Sequence, residues 1–455
     1  MASICYLSPT GMLGGGFSED HFKAALSPDL AFIGCDAGSC DGGPSYLGAN
    51  RFFQSREAVK RDLRLLVLGA RSLGIPLLIG SCGGSGGDWN LNWTREILQE
   101  ISREESLHFR TALIRSEPDR EALIDKWRAG RIRPLDPAPP LDEAVLRGAD
   151  HIVAMAGAEA YWAALDGGAD VVLAGRSTDA SIFAAIPLRQ GFDPGLCWHA
   201  AKIMECGGAA VTAMDRPEGM LCTITDDRFV VEPVSRHQRC SPLSVASHAL
   251  YETGDPFLMH EPGGVLDLSG ARYEAVSDRA VAVSGSVFRP GPYTVRLEGA
   301  QLAGWQAMTI GGVRDPVLLA RFDEWLDEVK VSIAEGAGRM FGLTQDADYS
   351  LIVRCYGRDG VLGQREPERH RIGHEIGLML TVLAPSQDLA SAICALAAHA
   401  ALHHRVPEWQ GLVSNLAFPM SPHVAPLGPA YRFTLNHVAE LDDPMELFDL
   451  RFEAL

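Results

Sequence analysis

The first half of the chain repeats one pattern, in which a short apolar segment runs into a glycine-rich loop carrying small polar or charged side chains. Segments with apolar residues at helical spacing, such as 57–73 and 89–105, lie between these loops. This alternation predicts a mainly parallel sheet with flanking helices, either an open Rossmann-like sheet or a closed barrel. The repeats occupy residues 4–16, 31–48, 77–87, 151–161 and 171–181.

The pattern changes in the second half of the chain. Short β-branched segments separated by Gly, Pro and Asp turns predict mixed β structure over 222–312, with one helix at 243–252. The remainder predicts a helix, two strands, a second helix and two further strands, an order typical of an α+β split-βαβ fold. The helices are predicted at 315–335 and 389–403, and the strands at 350–356, 375–383, 411–418 and 432–437.

These patterns give a prediction of domain organisation. We expect an α/β ligand-binding domain over residues 1–215 and an α+β C-terminal domain over 313–455. The mixed β segment over 216–312 is either separate or part of the first domain. A chain of 455 residues is long enough for two or three such units, each with its own core.

Composition narrows the class of function. The formal net charge of −18 disfavours contact with nucleic acid or an anionic membrane surface. The sequence shows neither a signal-peptide pattern at its start nor an apolar run long enough to span a membrane. The ten cysteines are scattered without a CxxC pair, so we expect free thiols and a cytoplasmic location.

The loop after the second predicted strand holds the first candidate residues. Asp36 and Asp41 bracket the segment GCDAGSCDGGP, and Tyr46 ends the same loop. Because strand carboxyl ends share one rim of an α/β sheet, these side chains are expected to face a ligand crevice. The two carboxylates are candidates for acid–base work, substrate hydroxyl binding or a divalent cation, and the alternative is simple turn chemistry.

The next loop, GSCGGSGGD, carries backbone amides suited to an anion. We expect Ser81, Gly83 and Gly84 to contribute to substrate binding, with Asp88 capping the following helix. The alternative is a flexible strand–helix turn.

The segment GRSTD places Arg176 at a strand end and Asp179 at the start of a helix. An arginine that emerges into a crevice suits bidentate capture of a carboxylate. An internal ion pair between Arg176 and Asp179 is the alternative.

Glu205 and Cys206 end an apparently amphipathic helix. Glu205 is the better acid–base candidate, because a neighbouring carboxylate makes Cys206 a poor nucleophile unless a positive group lies close. Cys206 is therefore expected to line the site. No histidine spacing matches a zinc signature, and no cofactor is predicted. A divalent metal stays open as an alternative, although no motif in the sequence supports it.

Several of these segments resemble the acyclic terpene utilisation (AtuA-type) family, in order and over nearly the whole chain. They include GCDAGSCDGGPSYLG, GADVVLAGRSTDASIFAAIPLRQGF, KIMECGGAA and YETGDPFLMHEPGGVLDL. The chain has Cys40 and Gly42 where the family usually shows Thr and Pro, and Cys82 where it shows Ala. These departures argue against Cys40 or Cys82 as an essential nucleophile.

The resemblance implies a role in small-acid or acyl-CoA breakdown. The residues that match the family pattern are Asp36, Arg176, Asp179, Glu205 and Cys206. We expect a homo-oligomer. Because some relatives carry an extra small C-terminal module, a separate small partner subunit in the same complex is a further expectation.

Together these observations predict a cytoplasmic catabolic enzyme, a lyase or hydro-lyase acting on a small carboxylate or acyl-CoA. Asp36, Glu205 and Asp179 are the expected catalytic groups. Two alternatives remain open: a thiol hydrolase using Cys206, and a non-catalytic substrate-binding subunit of a multi-protein complex.

Overall fold

The computed structural model describes residues 2–213, 218–251, 253–406 and 414–455. The chain divides into two compact units. Unit 1 comprises Met1–Gln301 and Phe433–Leu455, and unit 2 comprises Leu302–Arg432. The strand predicted over 411–418 and the end of the helix predicted over 243–252 lie partly outside the described residues.

Strands and helices are numbered in chain order. The strands are β1 (Ser3–Ser8), β2 (Leu30–Asp36), β3 (Leu77–Gly80), β4 (Arg110–Arg115), β5 (Ile132–Pro134), β6 (His151–Ala154), β7 (Val171–Ala174), β8 (Met220–Thr225), β9 (Phe229–Pro233), β10 (Leu258–Glu261), β11 (Gly264–Asp267), β12 (Arg272–Ala275), β13 (Val281–Ser284), β14 (Val287–Pro290), β15 (Thr294–Val313), β16 (Ser350–Tyr356), β17 (Ile376–Ala384), β18 (Val424–Glu440) and β19 (Asp449–Ala454). The helices are α1 (Glu19–Ala25), α2 (Pro44–Gly48), α3 (Arg56–Leu73), α4 (Asp88–Glu105), α5 (Arg120–Arg128), α6 (Glu143–Gly148), α7 (Ala158–Asp166), α8 (Asp179–Arg189), α9 (Pro194–Met204), α10 (Pro242–Ala249), α11 (Pro316–Ala320), α12 (Phe322–Phe341) and α13 (Gln387–His403).

A ten-stranded sheet organises unit 1. Its five central strands, in the order β1-β2-β3-β7-β4, run parallel to one another. Strands β8, β9, β13 and β12 extend it antiparallel beyond β1, and β19 pairs antiparallel with β4. The predicted α/β class with a mainly parallel N-terminal sheet is confirmed, and because the sheet is open, the barrel alternative does not hold.

Helices cover both faces of this sheet. Tyr6 and Phe32 point to the face that packs against α7, α8 and α9, in a core that includes Phe183. Leu7 and Ile33, one position along each strand, belong instead to the core beneath α3 and α4. This alternation follows from the two-residue period of a strand, and it explains why these strands are apolar throughout.

The middle of the chain forms β structure, as predicted, and its strands pair antiparallel. Strands β8, β9, β12 and β13 join the large sheet, whereas β10, β11 and β14 form a separate three-stranded sheet that contacts α9. Strand β6, although it lies within the alternating series, pairs antiparallel with the first residues of β15.

Unit 2 has a split-βαβ arrangement, as predicted, but the end of β15 before α12 supplies its first strand and the single long strand β18 follows α13. Its strands lie in the order β16-β17-β15-β18, and α12 and α13 pack on one face of this sheet. The core between them includes Trp325, Ile333, Leu378 and Ala397. None of the helices in the described ranges is long and apolar enough to cross a membrane.

Candidate active site

Asp36 ends β2 at the rim where the parallel strands terminate. The residue is buried, with a relative exposure of 6%. Oδ2 accepts a hydrogen bond of 2.9 Å from the backbone N–H of Gly38, while Oδ1 is buried and has no hydrogen-bond partner within the described part of the chain. Burial raises the pKa of Asp36 well above its ordinary value and the Asp179 carboxyl raises it further, against an opposing effect of Arg176.

Arg176 follows β7 at the same rim, and its guanidinium is held by the chain itself. Nε donates to Glu298 Oε2 at 2.9 Å, and Nη1 donates to Ser81 Oγ at 2.9 Å. Nη1 also donates to the Ser177 carbonyl at 3.0 Å and to Asp179 Oδ1 at 3.2 Å. This geometry favours the internal ion pair over capture of a substrate carboxylate by Arg176.

Glu298 is a buried partner that the sequence did not single out. It lies on β15 with its side chain only 5% exposed. Burial raises the pKa of Glu298, but Arg176 and Arg296 outweigh that effect, so its pKa is lowered. The pKa of Asp179 is raised by burial despite the neighbouring Arg176. The pKa of Glu298 is therefore lowered, whereas the pKa values of Asp36 and Asp179, which interact with the same guanidinium, are raised.

A second group of titratable side chains surrounds the end of α9. Lys202 Nζ lies 2.5 Å from Glu205 Oε1, and both side chains are buried. Burial and then the Glu205 carboxylate raise the pKa of the half-buried Glu261 to about 8. Lys202 also interacts electrostatically with Asp179, which couples the second group to the first.

His248, on α10, borders this second group. Its Nε2 is buried and has no hydrogen-bond partner among the described residues. Burial, followed by the positive charge of Lys202, lowers the pKa of His248 to about 4. The imidazole is therefore neutral around pH 7.

The 81–88 loop uses its backbone amides to hold the rim together. The N–H groups of Ser81, Cys82 and Gly84 donate to the carbonyls of Gly175, Ala174 and Ser81, each at 3.0 Å. Ser81 adopts φ +47, a left-handed conformation that costs free energy for any residue except glycine. Two of the three amides expected to bind an anion, those of Ser81 and Gly84, are thus engaged within the fold.

The N-terminus of α4 already holds a carboxylate. The expected cap by Asp88 is wrong, because the helix begins at Asp88 with Gly87 as its N-cap. Glu117, which follows β4, accepts a hydrogen bond of 2.8 Å from the Asp88 N–H and lies 3.1 Å from His151 Nδ1. Glu117 therefore occupies the position that an anionic ligand would take.

Asp41 and Cys206 interact electrostatically with Asp179 and Lys202, respectively. Tyr46 and Gly83 pack against Phe53 and Asn90. Asp41 is exposed and accepts a hydrogen bond of 2.9 Å from Ser39 Oγ, as in a turn. Tyr46 stacks on Phe53 with ring centroids 4.0 Å apart. Cys206 is partly exposed at the end of α9.

The structure thus brings Asp36, Ser81, Arg176 and Asp179 together around one guanidinium, with Glu205 in the adjoining group. Sequence reasoning missed Glu298, Lys202, Glu261 and His248. One available signal was Lys202, the only Lys or Arg in the otherwise apolar helix PGLCWHAAKIM. Among the described residues, no group of three or more His, Cys, Asp or Glu is arranged to hold a metal ion.

Comparison with known proteins identifies a family. The model of the acyclic terpene utilisation family protein AtuA matches residues 84–213 and 221–405, which is more than half of the chain. No curated protein and no solved structure matches the chain. The chain belongs to the acyclic terpene utilisation family.

Proposed function

We propose that the chain, as a member of this family, is an enzyme of acyclic terpene and branched-acid breakdown that adds or removes water. Its substrate is a small carboxylate or acyl-CoA, and Asp36 transfers the proton. The observation that carries this proposal is the buried Asp36 carboxyl, which interacts with Asp179 and Arg176 and whose Oδ1 has no hydrogen-bond partner among the described residues. A buried carboxyl whose pKa is raised is suited to donating a proton to a leaving hydroxyl.

The neighbouring groups take supporting roles in this proposal. Arg176 is a positioning residue, since its contacts to Glu298 and Asp179 fix the guanidinium that faces Asp36. Asp179 shares the local proton with Asp36, as two carboxyls close together cannot easily both ionise. Glu205, held by Lys202, is the second proton-transfer group.

The proposal also places the protein in the cytoplasm. All ten cysteines are free thiols, which supports a reducing environment such as the cytoplasm. The enzyme therefore acts on intracellular metabolites.

The experiment that tests this proposal measures the addition of water to the substrate or its removal. Purified protein is incubated with branched hydroxyacyl-CoA thioesters and with the matching free acids in water enriched in heavy oxygen. Mass spectrometry should detect gain or loss of one water and incorporation of the label. Asp36→Asn should lower the rate about 100-fold or more, the scale of a lost general acid.

A control variant distinguishes the loss of a proton-transfer group from the loss of one surface charge. Asp125→Asn removes one carboxylate from the exposed face of α5, where the Asp125 side chain is 75% exposed, and should leave the rate unchanged. Absence of any water exchange across the panel, or a folded Asp36→Asn protein with full activity, would refute the hydro-lyase proposal.

One observation favours a second candidate, a thiol hydrolase. The positive charge of Lys202 lies close enough to Cys206 to interact with it, and a cation is what an attacking thiolate requires. Iodoacetamide treatment and Cys206→Ser should both abolish turnover in this case. Full activity after either change would exclude Cys206 as the nucleophile.

A further inference from the structure

Unit 2 contains a cavity that the proposed function does not use. The cavity has a volume of about 400 Å³, which is within the range of small-molecule sites. It lies between β16, α12 and the loop that follows β16, and every residue that lines it belongs to unit 2. Unit 2 therefore has room for a ligand of its own.

Most of the charged side chains that line this cavity are cations. They are four cations and one carboxylate, namely Lys330, Arg354, Arg358, Arg369 and Asp359. The carboxylate, Asp359, accepts a hydrogen bond of 2.8 Å from Arg369 Nε. Arg354 Nη1 donates to the Gly360 carbonyl at 3.3 Å, and within the described residues Arg354 pairs with no carboxylate. The cavity thus presents positive charge on a chain whose formal net charge is −18.

The carboxylates that pair with the other two cations are exposed to solvent. Arg358 pairs with Asp323, and Lys330 Nζ lies 3.0 Å from Asp327 Oδ1. Both carboxylates are largely exposed, so water and salt screen them. They therefore offset the positive charge of the cavity only in part.

Arg358 gives a second indication of an anionic ligand. Its side chain is 4% exposed, and its Nε is buried without a hydrogen-bond partner among the described residues. A buried N–H group that lacks an acceptor costs free energy, and the cost is larger when the group is charged. Because Arg358 lines the cavity, an anionic oxygen bound beside its guanidinium would supply an acceptor.

The turn after β16 holds these cations in place. The Cys355 carbonyl accepts hydrogen bonds from the N–H groups of Arg358 at 3.1 Å and Gly360 at 2.9 Å. A Cβ at Gly360 would lie 2.9 Å from the Tyr356 backbone nitrogen, which leaves no room for a side chain. Groups that the fold already orders lose less conformational entropy when a ligand binds. The turn therefore presents an ordered set of cations.

Apolar side chains complete the wall of the cavity. They come from α12, from β16 and from the loop, and they include Leu326, Ile352, Val361 and Leu362. Ile352, Val361 and Leu362 are exposed to solvent. An alkyl group in the cavity would remove part of this apolar surface from water, which is favourable. The cavity therefore suits a ligand that has both an anionic head and an apolar body.

We propose that unit 2 binds a small organic anion with a carboxylate or phosphate head and a short alkyl body. The head contacts Arg354, Arg358 and Lys330. The alkyl body packs against Val361 and Leu362. Carboxylate and phosphate share the oxygens that a guanidinium binds in pairs, so either head satisfies the same arginines. This inference goes beyond the proposed function, since no residue of the candidate active site takes part in it.

The test measures the binding of five probes to the full chain by isothermal titration calorimetry. Hexanoate and hexyl phosphate carry the two heads on one alkyl body, and hexyltrimethylammonium carries the opposite charge. Acetate and inorganic phosphate lack the body. At least one hexyl anion should bind about tenfold or more tightly than the ammonium and than its counterpart without the body. The tighter hexyl anion identifies the head that the site prefers.

Variants assign this binding to the cavity. Arg354→Gln and Lys330→Gln should each weaken the tighter hexyl anion about fivefold or more, and the double variant should weaken it further. Both variants should fold, because Arg354 makes one long hydrogen bond and Lys330 makes an exposed ion pair. Arg339→Gln removes an exposed cation from the last turn of α12, outside the cavity wall, and should leave the affinity unchanged.

Hydrogen exchange locates the bound probe independently of the variants. Saturating hexyl anion should slow amide exchange over residues 350–365 in the wild-type protein. Three results would overturn the inference: an ammonium that binds as tightly as the hexyl anions, no binding of either hexyl anion, or an affinity that the double variant leaves unchanged. Unchanged exchange over 350–365 would also overturn it. The heavy-oxygen experiment decides the proposed function independently of each of these results.

Discussion

At the scale of single residues, Arg176 makes the most contacts to charged and polar side chains of the candidate site, since it binds Glu298, Ser81 and Asp179. Its side chain is 3% exposed and its partner Glu298 is 5% exposed, so solvent screens this ion pair very little. Removing one member of a buried pair leaves an uncompensated charge, which costs more than the pair contributes. Arg176 is therefore a structural requirement of the cluster as well as the source of its electrostatics.

The first prediction tests this pairing. Arg176→Met should lower the free energy of unfolding by about 3–5 kcal/mol, because Glu298 is left charged and buried. Adding Glu298→Gln should recover part of the loss. Arg189→Met is the matched control, since the Arg189–Asp166 pair is 44% and 62% exposed and is worth at most about 1 kcal/mol. Urea unfolding measures all four proteins, and equal losses for Arg176→Met and Arg189→Met would contradict the assignment.

The second prediction concerns the Glu261 carboxyl. Burial raises its pKa from 4.5 to about 8, so between these values the native protein holds a proton that the unfolded chain has released. The associated stability is lost as pH rises through this window. Glu261→Gln has no proton to lose, so its melting temperature relative to wild type should rise between about pH 5 and about pH 9.

Glu274→Gln, at an exposed position of β12, serves as the control and should show a constant difference from wild type. A difference that is also constant for Glu261→Gln would mean that Glu261 titrates alike in the folded and unfolded states.

At the scale of elements, glycines let the rim loops approach one another. Gly86 adopts φ +68, and a Cβ there would lie 2.2 Å from the backbone nitrogen of Arg176. The Arg176 N–H in turn donates to the Gly86 carbonyl at 2.9 Å. The 81–88 loop thus fixes the position of the Arg176 backbone, and Gly86 is required because a side chain there would collide with that backbone.

The third prediction separates packing from backbone strain. Gly74 has a similar φ of +64, but a Cβ there meets nothing within 4 Å. Gly74→Ala should cost about 1 kcal/mol for the left-handed backbone alone. Gly86→Ala should cost about 1–3 kcal/mol more, because backbone atoms cannot yield as a flexible side chain can. Urea unfolding of both variants checks this, and equal costs would show that the loops separate easily.

The sequence predicts best those helices and strands whose apolar residues recur at a regular spacing. The parallel strands and their helices were predictable because apolar spacing is a local property, and rim residues such as Asp36 and Arg176 were predictable because parallel strands end together. The role of Glu298 was not predictable from the sequence, because Glu298 lies 122 residues beyond Arg176. Its strand is brought next to Arg176 only by tertiary pairing. The antiparallel partner of β6 was hidden for the same reason.

At the scale of the whole molecule, the chain returns to unit 1 after unit 2. Residues Phe433–Leu455 belong to unit 1, and β19 pairs with β4 from Asp449↔Arg115 to Ala454↔Arg110. Strand β4 leads directly to Glu117 at the N-terminus of α4. The last strand therefore supports one end of the sheet that carries the candidate site.

The final prediction tests that support. Deleting residues 449–455 should lower the melting temperature and promote aggregation, because the edge of β4 loses its partner and exposes unpaired backbone groups. Phe452→Ala is a milder version, since the Phe452 ring lies 4.7 Å from the Arg110 guanidinium and fills the space beside Gly167. Phe452→Ala should lower the free energy of unfolding by about 3 kcal/mol or less, because Phe452 is 37% exposed. Circular dichroism and limited proteolysis would report both changes. An unchanged melting temperature after the deletion would mean that the parallel strands are stable without β19, and that β4 needs no partner on its outer edge.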